Sequence, residues 1–311
     1  MPLNILFAAR QERWDTYAEP LRNALQEAGF PDTVLSQDLP PAEVDYIVYA
    51  PNSPVQDFTP YTRTKAVLNL WAGVEAITGN ETLTQPLARM VDPGMTRSMT
   101  EWVTGHTLRH HLGMDQHITD QSGTWNPVTP PLAEERIVTI LGMGELGSSV
   151  AQSLLALQFR VRGWSRSPRE VAGVDMYHAD SGLDDALRGA DIVILLLPDT
   201  PATENTLNAQ RLALLRKGAF VINPGRGPLI DDDALIAALD SGQVAHATLD
   251  VFRTEPLPAE HPFWAHRQVT VTPHIAAETR ELTATRVIAE NIRRGEAGEP
   301  FLYLVDRARG Y

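Results

Sequence analysis

Short apolar runs alternate with longer amphipathic stretches along most of this chain. "LNILFAA" (3–9) and "VDYIVYA" (44–50) are short apolar runs with β-branched residues, the pattern of buried strands. "KAVLNLWAG" (65–73) reads as a further strand ending in a glycine turn. Between the first two, Trp14 to Ala28 carries helical spacing and stops at Gly29, with Pro31 just beyond. A helix is predicted over about Thr96 to Leu112. This alternation of strand and helix is that of a small parallel α/β unit.

Residues 115–135 break the pattern. "TWNPVTPPLAEE" is proline-rich and reads as a crossing segment. From Arg136 the alternation restarts, with strands expected near 137–141, 160–164, 191–197, 218–222, 245–250 and 269–272. Glu278 to Arg294 reads as a long helix that returns to the first domain. The acidic triplet Asp231–Asp233 is placed to cap the helix "ALIAALDSG", because carboxylates favour a helix N-terminus, and Gly242 supplies the stop.

Composition narrows the class. With 311 residues the chain is long enough for two domains, and its 43% hydrophobic and 21% charged residues suit a water-soluble globular protein. No apolar run reaches membrane-spanning length. "MPLNILFAAR" has no basic region before its apolar stretch, so it reads as a first strand rather than a secretion signal, and the cytoplasm is the expected compartment. The absence of cysteine excludes disulfides, thiol nucleophiles and cysteine metal sites. A formal charge of −13 argues against nucleic acid or an anionic membrane as partner, and means that an anionic substrate needs a locally basic site.

The clearest chemical motif is "LGMGELG". Gly142, Gly144 and Gly147 fit G-x-G-x-x-G between a strand and a helix, with Met143, Glu145 and Leu146 interleaved. The first glycine permits a tight turn, the second lets backbone approach a pyrophosphate, and the third lets helix pack on strand. At the end of the next strand an acidic residue would bind the ribose 2′-hydroxyl of NAD. "WSRSP" places Ser165, Arg166 and Ser167 there instead. A guanidinium is suited to the 2′-phosphate of NADP, so NADPH is expected over NADH.

Three further groups fall at predicted strand ends, where open α/β sheets bind ligands. They are Arg226 in "VINPGRGPLI", Asp250 and Glu255 in "TLDVFRTEPLP", and His274 in "VTPHIAAETR". Together with "LWAGVEAI", "LGMGELGSSVAQSL", "WSRS", "LLLPDTPAT", "ALDSG" and the terminal "VDRARGY", these stretches resemble the D-isomer-specific 2-hydroxyacid dehydrogenase family over essentially the whole chain. Within it they resemble the glyoxylate/hydroxypyruvate reductase A type.

That resemblance implies two Rossmann-like parallel-sheet domains with a cleft between them. The cofactor domain (97–282) would be inserted into a flavodoxin-like substrate domain (1–96 and 283–311). It implies reduction of small 2-oxo acids, glyoxylate and hydroxypyruvate, to D-2-hydroxy acids by hydride from NADPH. Arg226 would hold the substrate carboxylate and keto oxygen, His274 would donate a proton, and Glu255 would orient the imidazole. Asp250 would lie on the nicotinamide side, and Leu197, Pro198, Thr203, Pro224 and Gly225 would also line the cofactor. Trp71, Ala72 and Gly73 would receive substrate, with Tyr49 and Trp264 as further candidate walls. One departure stands out: Pro224-Gly225 precede Arg226 where the family has a small non-proline residue and then alanine or glycine. Proline fixes φ, so the backbone presenting Arg226 is expected to sit differently.

His106 and His110 stand four apart on a predicted helix, but the glutamate of H-E-x-x-H is absent. They read as solvent or subunit-contact histidines. Similar proteins make a two-fold dimer through this region, so a homodimer through the cofactor domain is expected. Rival readings are a reductase preferring larger substrates such as phenylpyruvate, an oxidising dehydrogenase of another one-carbon or phosphorus acid, and a non-enzymatic nucleotide-sensing protein of the same fold.

Overall fold

A computed structural model describes residues 2–119 and 122–307, so the "ARGY" that ends "VDRARGY" lies outside the described residues. The chain divides into two compact units. One comprises the residues up to Met95 together with those from Thr279 onward; the other is Thr96–Glu278.

In the first unit β1 (Asn4–Ala8), β2 (Val34–Ser36), β3 (Tyr46–Tyr49), β4 (Ala66–Asn69) and β5 (Leu87–Ala88) form a parallel sheet in the order β2-β1-β3-β4-β5. The continuous apolar runs are the strands buried on both faces. Ile5, Phe7, Tyr46, Val48 and Leu68 point to one face, against Tyr17, Leu21 and Leu25 of helix Gln11–Glu27 and Ala284, Ile288 and Ile292 of helix Glu281–Ala297. Leu6, Ile47, Tyr49 and Val67 point to the other, against Phe58, Ile77 and Leu83. Each fully buried leucine or isoleucine contributes roughly 1.5–3 kcal/mol. A slip of one residue would exchange the two sets.

The third expected strand ends early, at Asn69, and not at Gly73. The Asn69 amide donates to the carbonyls of Trp71 (2.8 Å) and Gly73 (3.1 Å), which curls the chain out of the sheet. The fully buried Asp92 carboxylate accepts the N–H groups of Gly94, Met95 and Arg280 at 3.0–3.1 Å, tying the chain that leaves this unit to the chain that re-enters it.

The second unit is a seven-stranded parallel sheet: β6 (Ile137–Leu141), β7 (Arg160–Ser165), β8 (Asp175–His178), β9 (Ile192–Leu195), β10 (Ala219–Asn223), β11 (Val244–Leu249) and β12 (Val269–Val271). Its order is β12-β11-β10-β9-β6-β7-β8. The direction of winding reverses between β6 and β9, the switch point at which doubly wound sheets bind nucleotides. Ile137, Leu141, Val193, Leu195 and Val221 build the core on one face; Val138, Ile140, Val161, Ile192 and Ile194 build it on the other. Asp231 caps helix Asp232–Asp240 as expected, accepting the Ala234 N–H at 3.1 Å.

The histidine reading needs correction. His110 is 3% exposed on helix Pro93–His111, stacked on Phe220 with centroids 4.7 Å apart, and its Nε2 lies 2.9 Å from Thr248 Oγ1. It is a packed core residue and not a solvent or subunit contact. His106 is half-buried against Trp102. Burial and the neighbouring His246 and Arg109 push His110 down to about 2, and burial pushes His106 and His246 down to about 4. No group of three histidine or carboxylate side chains among the described residues is placed to hold a metal. No helix among them is long and apolar enough to cross a membrane.

Candidate active site

The glycine turn follows β6 directly. Gly142 has φ +105°, and a Cβ there would stand 2.4 Å from the Leu196 carbonyl oxygen. A Cβ on Gly147 would stand 2.0 Å from the Gly142 oxygen. The fold itself therefore requires both glycines. Gly144 is different. It is the N-cap of helix Glu145–Ala156, with an extended backbone that any residue can adopt, and a Cβ would meet nothing within 4 Å. Nothing around it in the protein needs glycine there. The first N–H groups of a helix have no partner within it and favour an anion. Met143 and Leu197 turn their side chains into the core, so they offer only backbone, while Glu145 is exposed and Leu146 packs on the core.

Ser165 ends β7, and Arg166 and Ser167 stand exposed just beyond it. Ser165 Oγ donates to the Ser167 carbonyl at 2.8 Å, bracing this turn. The loop after β9 closes on Thr203, whose hydroxyl donates to the Pro198 carbonyl at 2.7 Å and accepts the Thr200 N–H at 3.0 Å. A cation just past β7 and an anion-binding turn at the switch point fit a phosphorylated dinucleotide.

Arg226, Glu255 and His274 come together in the same unit. His274 Nδ1 lies 2.7 Å from Glu255 Oε2, while Glu255 Oε1 accepts the Phe252 N–H at 2.9 Å. The hydrogen bond that His274 donates to Glu255 raises the His274 pKa above the usual imidazole value, against the opposing effect of burial. Burial works against the Glu255 anion, but its bonds to His274 and Phe252 outweigh that and hold its pKa below the usual carboxylate value. Both shifts favour imidazolium beside carboxylate. Arg226 is near enough to act electrostatically on both groups.

The backbone ahead of Arg226 is fixed locally. Asn223 Oδ1 accepts the Gly225 N–H at 3.1 Å, and Asn223 Nδ2 donates to the Arg226 carbonyl at 2.9 Å. A Cβ on Gly225 would stand 2.7 Å from the Leu195 oxygen. Pro224 is buried in this turn, and Arg226 emerges with extended backbone, φ −146°.

Asp250 has a role that sequence alone did not reveal. It is fully buried, and its carboxylate accepts the N–H groups of Ile275 and Ala276, both at 2.9 Å, and the Thr272 hydroxyl at 2.6 Å. It thereby holds the turn on which His274 adopts φ +54°. In the first unit, the Trp71–Gly73 loop is partly exposed. Tyr49, expected as a pocket wall, is 1% exposed and packs edge-on against Phe58, with centroids 5.3 Å apart. It is a core residue, placed inward by the alternation of β3. Trp264 is 51% exposed, its indole N–H donating to the Pro258 carbonyl at 3.0 Å.

A glycine turn at the switch point of a doubly wound sheet, with a carboxylate-paired imidazole beside an arginine, defines a nucleotide-dependent oxidoreductase. The chain belongs to the D-isomer specific 2-hydroxyacid dehydrogenase family, whose NAD-binding domain model matches residues 104–276. It is 42% identical over 297 residues to glyoxylate/hydroxypyruvate reductase A of Serratia proteamaculans, covering 89% of this chain and 94% of that one. A D-isomer specific 2-hydroxyacid dehydrogenase from Xanthobacter autotrophicus, solved with NADPH and MES, superposes with a TM-score of 0.93 at 39% identity over 100% of both chains. The NADPH-dependent glyoxylate/hydroxypyruvate reductase from Sinorhizobium meliloti, solved with NADP and sulfate, does so with a TM-score of 0.85 at 32% identity, over 100% of this chain and 99% of that one.

Proposed function

We propose that this protein reduces small 2-oxo acids, glyoxylate and hydroxypyruvate first, to D-2-hydroxy acids at the expense of NADPH. The observation that carries this is the 2.7 Å His274–Glu255 contact beside Arg226, in a chain whose relatives above carry that activity in their names. NADPH, when bound, supplies the hydride that C2 of the substrate accepts. The turn from Gly142 to Gly147 would hold its pyrophosphate, and Arg166 with Ser165 and Ser167 its 2′-phosphate. Leu197, Pro198, Thr203, Pro224 and Gly225 would line the remainder, while Asp250, with no exposed surface, would act through the turn it braces.

The chain's own residues account for the other half of the reaction. Arg226 pairs with the substrate carboxylate and draws electron density toward the keto oxygen. His274 gives the proton on its Nε2 to the oxygen as it becomes an alkoxide, and Glu255 stabilises the imidazolium before transfer. Trp71, Ala72 and Gly73 are read as substrate-binding residues, with Trp264 as a further aromatic wall. Self-association through the second unit is supported by Ile118, Trp125 and Leu132, which are 69%, 93% and 66% exposed.

The test is NADPH consumption with glyoxylate, hydroxypyruvate, pyruvate, phenylpyruvate and acetaldehyde, and chiral analysis of the product. The expected order places glyoxylate and hydroxypyruvate first and acetaldehyde last, because an uncharged substrate leaves Arg226 without its anion. An L-product, or acetaldehyde turned over as fast as glyoxylate, contradicts the proposal. A strong preference for phenylpyruvate keeps the reaction and changes the substrate.

A further inference from the structure

The loops that carry Arg226 and Glu255 meet backbone to backbone. A Cβ on Gly227 would stand 2.0 Å from the Phe252 carbonyl carbon and 2.3 Å from the Arg253 nitrogen. Across this contact lies Arg253, whose guanidinium donates to the Ile230 carbonyl at 2.5 Å and to the Pro228 carbonyl at 3.4 Å. It also donates to Asn205 Oδ1, and Asn205 in turn donates its N–H to the Pro228 carbonyl at 2.8 Å. Glu204 at 3.4 Å and Asp232 at 3.8 Å lie on its outer side. One cation thus joins three loops, those following β9, β10 and β11. The residue before it, Phe252, supplies the N–H that holds Glu255 Oε1.

We infer that Arg253 is a positioning residue for the reduction. It clamps the Arg226 loop to the segment that aims Glu255 at His274. It touches neither member of the pair, and it acts by fixing where the Glu255 carboxylate stands. A planar fork with several donors suits this bridge between carbonyls on different loops, and an ammonium point charge reproduces it only in part. This inference rests on the reading of Glu255 and His274 given above.

The test compares wild type, Arg253→Ala and Arg253→Lys for kcat and for the alkaline limb of the kcat/KM–pH profile in the reductive direction. With the carboxylate less well placed, the His274 imidazolium loses support, so the limb moves to lower pH and kcat falls about ten- to a hundredfold, on the scale of acid–base catalysis. The lysine variant should fall between the two. If Arg253→Ala does not fold, the lysine variant decides. A limb that stays in place, whether or not kcat falls, overturns the inference, because a merely structural role lowers the rate without moving that limb. Failure of the underlying reading looks different: His274→Ala would then keep wild-type turnover.

Discussion

The buried histidines of the second unit make its stability depend on pH in a way that can be measured. The sign follows from their lowered pKa values. Below the ordinary value of 6.5 the unfolded chain takes up protons that the folded chain refuses, so stability present above that value is lost as pH falls. The loss continues to about 4 for His106 and His246 and to about 2 for His110. Each group contributes a slope of about 1.4 kcal/mol per pH unit, so at about pH 5 each has removed about 2 kcal/mol and the three together up to about 6. That is comparable to the whole stability of many domains, about 5–15 kcal/mol.

His110→Gln keeps a polar group beside Thr248 but removes both the titration and the ring stacked on Phe220. The lost ring contact costs about 1 kcal/mol at all pH values, while the relieved proton penalty grows from zero to about 2 kcal/mol at about pH 5. The variant should therefore be less stable than wild type at about pH 8 and more stable at about pH 5, the order inverting near pH 6. Urea unfolding across that range, followed by tryptophan emission, to which Trp164 in the core of this unit contributes, measures it. Parallel curves, with the variant below wild type at every pH, would refute the reasoning.

Four further outcomes are expected. Arg166→Ala should raise the Michaelis constant for NADPH roughly ten- to a hundredfold, the loss of a charge-assisted hydrogen bond, with NADH kinetics little changed; steady-state assays with both cofactors check this. His274→Ala should lower turnover by about 10²–10⁴ while NADPH still binds by fluorescence titration. Glu255→Gln should move the alkaline limb to lower pH, because the imidazolium loses the anion that raises its pKa. Gly147→Ala, forced against the Gly142 oxygen, should weaken NADPH binding and lower the melting temperature together, whereas Gly144→Ala should weaken binding with little thermal effect; calorimetry and titration of both variants separate the two.

The elements legible in the sequence are those whose burial leaves a periodic trace. β3, β4, β6 and β9 are buried at every residue and appear as predominantly apolar runs, interrupted only by Asn69 in β4 and Thr139 in β6. The short edge strands β2, β5 and β8 leave no such trace. They have three, two and four residues, and β8 is partly or fully exposed throughout, so hydrogen bonding and not burial makes it a strand. Helix Glu281–Ala297 begins three residues later than expected, after Arg280, whose N–H is taken by the distant Asp92. In the site, Arg226, Glu255 and His274 were readable because each lies in the loop just past a strand, after β10, β11 and β12 respectively. Asp250 as a brace, Tyr49 as core and His110 as a packed ring depend on partners between 9 and 138 residues away, and no local pattern records them.

The first unit draws its core from both ends of the chain: Ala284, Ile288 and Ile292 pack into the same cluster as Ile5, Phe7 and Leu21. During synthesis those helix residues emerge only after the whole of the Thr96–Glu278 unit. The β1–β5 sheet must therefore wait with one flank of its apolar face uncovered, while the later-made unit already has every strand of its own sheet. The usual order of folding, N-terminal domain first, is reversed here. The flank left uncovered, at β3 and β4 where Tyr46 and Leu68 meet that helix in the finished fold, would be the natural place for a chaperone to hold the nascent chain.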